Sequence, residues 1–156
     1  MAYYPTPLIG ERLDAIARKL LAASTLYAFI VLAITLSYAS AGKTPPPLAP
    51  NIIISQYVQL ADAWNSISGK LVSGNQLEVL VAIANLIWSA FKTLLVFMIN
   101  IAIGITWISF QVSLLLPSAL YPLKILAMVA GLAANTVLIV YLLRRTLEVI
   151  SSFIPH

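Results

Sequence analysis

One apolar segment constrains the fold of this chain more than any other feature. Residues 77–116 are interrupted by charge only at Glu78, near the start, and at Lys92. At 1.5 Å per residue, a helix over this segment would be about 60 Å long. A bilayer core of about 30 Å needs only about 20 residues. We therefore expect either a break near Lys92 or Gly104, or a helix that an ordinary bilayer does not fully contain.

A second apolar segment follows almost at once. Pro117 and Pro122 bracket a short loop, and the residues after it are again apolar. Proline removes an amide donor and disfavours helix in the residue before it, so the first helix should end here. The sequence predicts a helical hairpin over residues 77–116 and 123–154, with no strand-like alternation anywhere in the chain.

The amino-terminal half divides into four parts. Residues 1–10 contain two prolines and a glycine and should form an extended arm, whereas residues 11–41 should form an apolar, leader-like helix. Four prolines predict a break at residues 42–51. An amphipathic helix over 52–68 and a turn over 69–76 should follow. The chain is therefore predicted to be a single all-α unit of hydrophobic, membrane-type helices, in which the hairpin follows an apolar and a short amphipathic helix.

The helix over residues 52–68 shows clear amphipathic spacing. Its large apolar residues recur every three or four positions, at Ile53, Tyr57, Leu60, Trp64 and Ile67. Polar residues occupy the opposite face. Such a helix lies on a membrane surface or packs along a partner helix.

The composition agrees with a lipid or multi-subunit environment. Of the 156 residues, 61% are hydrophobic and 9% are charged, against about 45–50% and about 25% in typical soluble domains. A chain of 16.9 kDa cannot bury such an excess within itself. The surplus apolar surface should therefore face lipid or other subunits.

Catalytic chemistry is not apparent in the sequence. The chain has no cysteine, and its one histidine is His156. Its five acidic residues are dispersed, and we expect Glu11 and Asp14 to support the start of a helix and to pair with Arg18. The net charge of +4 forms no nucleic-acid-binding stripe, since at most two cations are adjacent. We expect a protein that is not an enzyme, without catalytic, cofactor-binding or metal-ligating residues.

Two features point to helix packing and lipid contact instead. Small residues repeat at spacings of three and four on the last helix, forming a predicted packing ridge of Ala127, Ala130, Gly131 and Ala134. Lys92 lies deep in an apolar stretch. A lysine there either lines an aqueous route or extends its ammonium toward lipid headgroups.

The first helix also has the layout of a secretory leader. Arg18 and Lys19 precede an apolar core that ends in a small-x-small motif, Ala39, Ser40 and Ala41. The apolar region is longer than in a usual signal, and we expect the helix to be retained. Cations also flank both the first and the last apolar helix, and both groups favour the cytoplasmic side of a membrane. Three spans would place the two groups on opposite sides, so no simple topology satisfies this preference.

Taken together, these features resemble a hydrophobic pilin of the conjugation type, from type IV secretion systems and their archaeal DNA-import relatives. The resemblance lies in the long apolar hairpin, in a short loop carrying Lys124, and in the leader-like segment ending at residues 39–41. It covers about residues 69–156 and 11–41.

The resemblance implies a filament that leaves the cell membrane and remains anchored at the cell surface. Copies of the chain would polymerise into a tube for DNA transfer, with phospholipid or archaeal membrane lipid held between them. Partners would include single-stranded DNA in the lumen and membrane components of the secretion system. The cations expected to face the lumen or lipid headgroups are Lys124, Lys92, Arg144 and Arg145.

Three other functions fit the same pattern. The chain is also consistent with a small structural subunit of a membrane complex, or with the hydrophobic coat protein of a lipid-containing archaeal virus. A small transporter or pore using Lys92 is the third alternative.

Overall fold

A computed structural model describes residues 9–73 and 75–153. These residues form four long α-helices and one short 3₁₀ turn, and contain no strand. The helices are α1 (Ile9–Ser40), α2 (Asn51–Ser73), α3 (Gln76–Leu115) and α4 (Tyr121–Ser152), and the 3₁₀ turn is Ser118–Leu120. The all-α prediction is confirmed. The predicted arm lies mostly outside the described residues.

Helix α1 ends in a glycine cap. Gly42 has a φ of +66°, a left-handed conformation that glycine adopts without a Cβ penalty. Its amide donates to the Ala39 carbonyl at 3.0 Å, and the Lys43 amide donates to the Tyr38 carbonyl at 2.9 Å. This pair of hydrogen bonds is the Schellman arrangement, which satisfies carbonyls that the helix end would leave unpaired.

The proline-rich linker packs against the helices that it joins. Ala49 is buried, and the Tyr27 hydroxyl of α1 donates a hydrogen bond to the Leu48 carbonyl. Amides of Ile53 and Ile54 donate to the Pro50 carbonyl, at 2.9 and 3.2 Å, as α2 begins. The linker thus has no helix of its own but is held to α1 and leads directly into α2.

The predicted turn over residues 69–76 is wrong at its amino-terminal end. Helix α2 passes through Gly69 and continues to Ser73. A single glycine inside a helix costs only about 1 kcal/mol, which is too little to end α2. Asn75 directly precedes α3. Its side-chain oxygen accepts a hydrogen bond from the Leu77 amide at 3.2 Å, and its side-chain amide donates to the Glu78 carboxylate at 2.9 Å.

Helix α3 runs for 40 residues without the break considered near Lys92 or Gly104. The Lys92 side chain is exposed, so α3 continues through this position without burying a charge. Gly104 is buried, and packing around it offsets the weak helix propensity of glycine. The sequence allowed either a break in this segment or one continuous helix longer than a bilayer core, and the structure shows the continuous helix.

The described residues form two compact units. The first contains α1 up to Thr25 together with the chain from Ala102 onward, and the second is Leu26–Ile101. The interior of the second unit is made by α1, α2, the linker and α3, with buried apolar residues Ala28, Val31, Ala49, Ile53, Tyr57, Ala61 and Ala82. In the first unit the fully enclosed apolar side chains are fewer, namely Ala17 and Leu138.

The hairpin of α3 and α4 closes within the first unit. Residues 116–120 join the two helices, and Gly131 of α4 is buried against Ser109 and Ile105 of α3. Three helical segments, Gly10–Ser40, Gln76–Leu115 and Ser118–Ser152, are long and apolar enough to cross a membrane. Only 17–22% of the most apolar window of each segment is buried inside the protein.

Candidate lipid- and subunit-contact surface

The outer faces of the long helices are covered with large apolar side chains. On α3 they occur from one end to the other, including Leu77, Leu80, Ile87, Trp88, Phe91, Leu94, Met98, Leu114 and Leu115. Fully burying one such side chain is worth about 1.5–3 kcal/mol. A soluble monomer rarely exposes an apolar patch of this extent, so this surface requires lipid or protein to cover it.

The predicted small-residue ridge on α4 is used inside the chain at one position. A Cβ built on Gly131 would overlap the Cβ and Oγ of Ser109, and it would lie 3.6 Å from the Ile105 carbonyl oxygen. Glycine is therefore required for α4 to approach α3 this closely. Ala127 and Ala134 are half-buried, whereas Ala130 is exposed.

A buried polar pair joins α2 to α3 in the second unit. The Asn100 amide donates a 3.3 Å hydrogen bond to the Tyr57 hydroxyl, and both side chains are fully buried. Burial raises the pKa of Tyr57, and the hydrogen bond from Asn100 opposes that rise. The sequence placed Tyr57 on the apolar face of α2, but periodicity alone does not reveal that Asn100 is its partner.

Other buried polar atoms lack a partner among the described residues. In the second unit these include the hydroxyls of Thr35, Ser89 and Thr93. Asn135, in the first unit, is 8% exposed, and its side-chain oxygen is unpaired. An unsatisfied buried polar atom costs about 1–3 kcal/mol. These groups do not converge on a metal site, since no cluster of three or more metal-ligating residues occurs within the described ranges.

Lys92 lies beside aromatic rings and not in an enclosed polar site. Its Nζ is 5.2 Å from the centre of the Trp88 ring, a cation–π contact. The Trp88 ring stacks on Phe91, with ring centres 5.9 Å apart. All three side chains are exposed.

The paired arginines of α4 are engaged with carboxylates. Arg144 and Arg145 contact Glu148 at 3.1 and 2.6 Å. Arg144 also lies 3.8 Å from Asp14 of α1. Asp14 was expected to pair with Arg18, and that expectation is wrong because α4 brings Arg144 to it. The contacts with Glu148 were detectable from sequence, because residues three or four apart share a helix face.

The remaining predicted residues lie at helix ends. Lys124 is half-buried in the first turn of α4, and not in the loop, because α4 already begins at Tyr121. Ala39 and Ser40 belong to the last turn of α1, and the Ser40 hydroxyl donates to the Ser37 carbonyl at 3.0 Å. Ala41 follows within the glycine cap, where its amide donates to the Tyr38 carbonyl at 3.1 Å.

The fold and surface define an all-helical protein with three helices long and apolar enough to span a membrane. No protein-family model matches the chain, and no curated protein or solved structure matches it.

Proposed function

We propose that this chain is a pilin, the structural subunit of a lipid-containing helical filament that resembles conjugative or DNA-import pili. Copies of the chain are inserted in the cell membrane and then assemble into an extracellular tube through which DNA passes. In this proposal the chain has no catalytic activity and contributes shape, apolar surface and a small number of cations.

The observation that carries this proposal is the length of uncovered apolar surface on α3. The helix has 40 residues without a break, about twice the length that a bilayer core covers. Exposed apolar side chains occur both near its start, as at Leu80, and at its end, as at Leu115. A wall of identical subunits has no fixed hydrocarbon thickness, so it covers the whole helix where a bilayer alone does not.

Lipid is the second component of the proposed filament. The helices of one chain enclose few apolar side chains, and grooves remain between them. One groove of about 390 Å³ in the second unit is lined by Leu36, Ser37, Ser40, Leu60, Ala61, Trp64, Asn65 and Leu86. Acyl chains of phospholipid or archaeal membrane lipid, packed between copies, would remove such surface from water.

The cations set the electrostatics of the proposed lumen. Arg144 and Arg145 are partly neutralised by Glu148, whereas Lys124 and Lys92 form no ion pair within the described residues. Of these two lysines, Lys124 lies next to the hairpin connection, in the first turn of α4. It is the candidate for contact with a passing single strand of DNA. A small number of cations would attract the phosphates without holding the strand tightly.

Microscopy of sheared material tests the proposal. Cells producing the chain are sheared, and the released fraction is examined by negative staining and by mass spectrometry. Uniform filaments that contain this chain and bound lipid are expected. Leu80→Arg, on the uncovered face of α3, should abolish the filaments, whereas Ser68→Arg, at an exposed polar position of α2, serves as the matched control. A chain that stays in the membrane in fixed proportion to unlike subunits would overturn the proposal.

A further inference from the structure

The amino-terminal half of α3 carries an aromatic and cationic cluster with a defined geometry. Trp88, Phe91 and Lys92 share one helix face because they are three and four positions apart. The rings of Trp88 and Phe91 stack with an interplanar angle of 19°, and the Lys92 ammonium lies over the Trp88 ring. Trp88 is 58% exposed and Phe91 52%. Within the described residues no carboxylate forms an ion pair with Lys92.

The exposed side chains around this cluster are mostly apolar, with Asn85 as an exposed polar neighbour one turn before Trp88. Ile87 and Leu95 flank it and are 66% and 48% exposed. A cation on such a face, with no carboxylate paired to it among the described residues, is open to an anion from outside the chain. Tryptophan and lysine together at such a position are typical of the boundary between hydrocarbon and headgroups, where the ring lies among the headgroups and the ammonium reaches their phosphates.

The length of α3 beyond the cluster fits this boundary. Residues 93–115 carry no charge and span roughly 35 Å as a helix, slightly more than the hydrocarbon core of about 30 Å. A modest tilt accommodates the difference. The helical segment that follows the cluster therefore matches the thickness of one bilayer core.

Helix α4 shows the same combination independently. The Arg145 guanidinium lies 5.5 Å from the centre of the Tyr141 ring. The uncharged residues 125–143 precede Arg144 and span roughly 28 Å. Each helix of the hairpin thus has an uncharged segment of bilayer length next to an aromatic ring with a cation over it.

We propose that Trp88, Phe91 and Lys92 form a binding site for the phosphate group of an anionic membrane lipid, and that this site fixes the membrane–water boundary on α3. Residues 93–115 lie in hydrocarbon, and the helix before Trp88 lies outside the core. This inference concerns the membrane-inserted chain and does not depend on filament formation.

Depth-dependent quenching of Trp88 in vesicles tests the site. The chain has three tryptophans, so a Trp64→Phe, Trp107→Phe background leaves Trp88 as the only tryptophan, which is excited selectively at wavelengths that tyrosine does not absorb. The full-length chain is reconstituted in phosphatidylcholine vesicles with and without phosphatidylglycerol, using lipids brominated at shallow or deep acyl positions. Shallow bromines are expected to quench Trp88 at least about twofold more strongly than deep ones, with the largest difference in the anionic vesicles.

Substitutions separate the contribution of Lys92 from that of the fold. Lys92→Gln should abolish the extra effect of phosphatidylglycerol and move Trp88 toward the deep quenchers, whereas Lys92→Arg should restore the original profile. Lys43→Gln, at an exposed position outside the cluster, is the matched control. Circular dichroism of each variant identifies any loss of helix, and Lys92→Arg keeps the test decisive if Lys92→Gln misfolds.

Three outcomes would overturn the site. Strongest quenching by deep bromines would place Trp88 inside the hydrocarbon. Quenching by aqueous acrylamide alone would place it in water or in a lumen. An equal response to added inorganic phosphate in phosphatidylcholine vesicles would identify a soluble anion as the ligand. A failure of filaments to form, with the quenching profile intact, would count only against the proposed function.

Discussion

Gly131 of α4 and Ser109 of α3 approach so closely that a methyl group on the glycine would occupy the space of the serine side chain. The serine Cβ and Oγ are both in conflict with that methyl group, and the Ile105 carbonyl oxygen of α3 lies 3.6 Å from it. Because the conflict includes the Cβ, which a rotation of the serine side chain does not move, the helices must shift to relieve it. The hairpin is therefore sensitive to volume at this one contact.

Gly131→Ala should destabilise the hairpin by about 1–3 kcal/mol, the usual cost of overpacking. Denaturant unfolding in detergent, followed by circular dichroism, measures the effect. Ala130→Val changes volume at an exposed neighbouring position and should shift the midpoint little. Combining Gly131→Ala with Ser109→Gly removes both clashing atoms, so the double variant should be more stable than the sum of the two single effects predicts. An additive double variant would show that the contact does not limit packing.

Two glycines should respond oppositely to the same substitution. A Cβ at Gly42 or at Gly69 would meet nothing within 4 Å, so backbone conformation alone decides the outcome. Gly42→Ala should cost about 1 kcal/mol because of its φ of +66°. Gly69→Ala, inside α2, should stabilise by about 0.5–1 kcal/mol. Thermal unfolding of the two variants side by side checks this, and stabilisation by Gly42→Ala would contradict the cap.

The hydrogen bond between the buried Tyr57 and Asn100 should contribute more to the free energy of unfolding than an exposed polar side chain does. Tyr57→Phe leaves the Asn100 amide buried without its partner, at an expected cost of about 1–3 kcal/mol. Asn85→Ala, at an exposed position of α3, should change stability by no more than about 0.5 kcal/mol. Urea unfolding in detergent measures both. A Tyr57→Phe, Asn100→Leu double variant that is less stable than Tyr57→Phe alone would argue against the pair.

Alkaline pH should destabilise the fold through Tyr57. Burial raises its pKa in the folded chain above the ordinary value of 10.0, so from about pH 10 upward the unfolded chain loses the phenol proton more readily than the folded one. Stability is therefore fully present below pH 10 and declines as the pH rises toward the folded pKa. Unfolding midpoints between pH 9 and 12 should fall less steeply for Tyr57→Phe than for the unmodified chain.

Lys124 connects the proposed lumen to DNA passage. Lys124→Glu should alter DNA uptake while filaments still assemble, because it reverses one charge in the first turn of α4. Uptake of labelled DNA and filament counts by microscopy, taken from the same cultures, measure the two effects. Unchanged uptake would remove Lys124 from the mechanism.

The helices were predictable because their signals are local. Pro117 marks the hairpin connection, and the prolines before Asn51 mark the break between α1 and α2. Pro122, expected to close the loop, lies instead in the first turn of α4, where proline is tolerated because its missing amide has no helical partner. Gly69 misled the prediction because a lone glycine resembles a turn in sequence, although helical neighbours on both sides readily offset its cost.

The contacts between helices were less predictable. Spacing identified the apolar face of α2, yet it did not indicate that Tyr57 is enclosed while Trp64 remains 66% exposed. Asp14 was assigned to a cation one turn away and instead lies near Arg144, far along the chain. Such partners depend on which helices meet, and periodicity within a single helix carries no such information.

In the proposed filament, the fit of Gly131 against Ser109 would also limit how copies of this chain associate. The position where the absence of a side chain lets α4 make contact at backbone range, Gly131, is already occupied by α3 of the same molecule. In such a filament, neighbouring molecules would therefore meet away from Gly131, largely through the exposed aliphatic and aromatic side chains. Such contacts adapt by rotamer changes, so an assembly of these chains should accept modest differences in spacing between its members without refolding any of them.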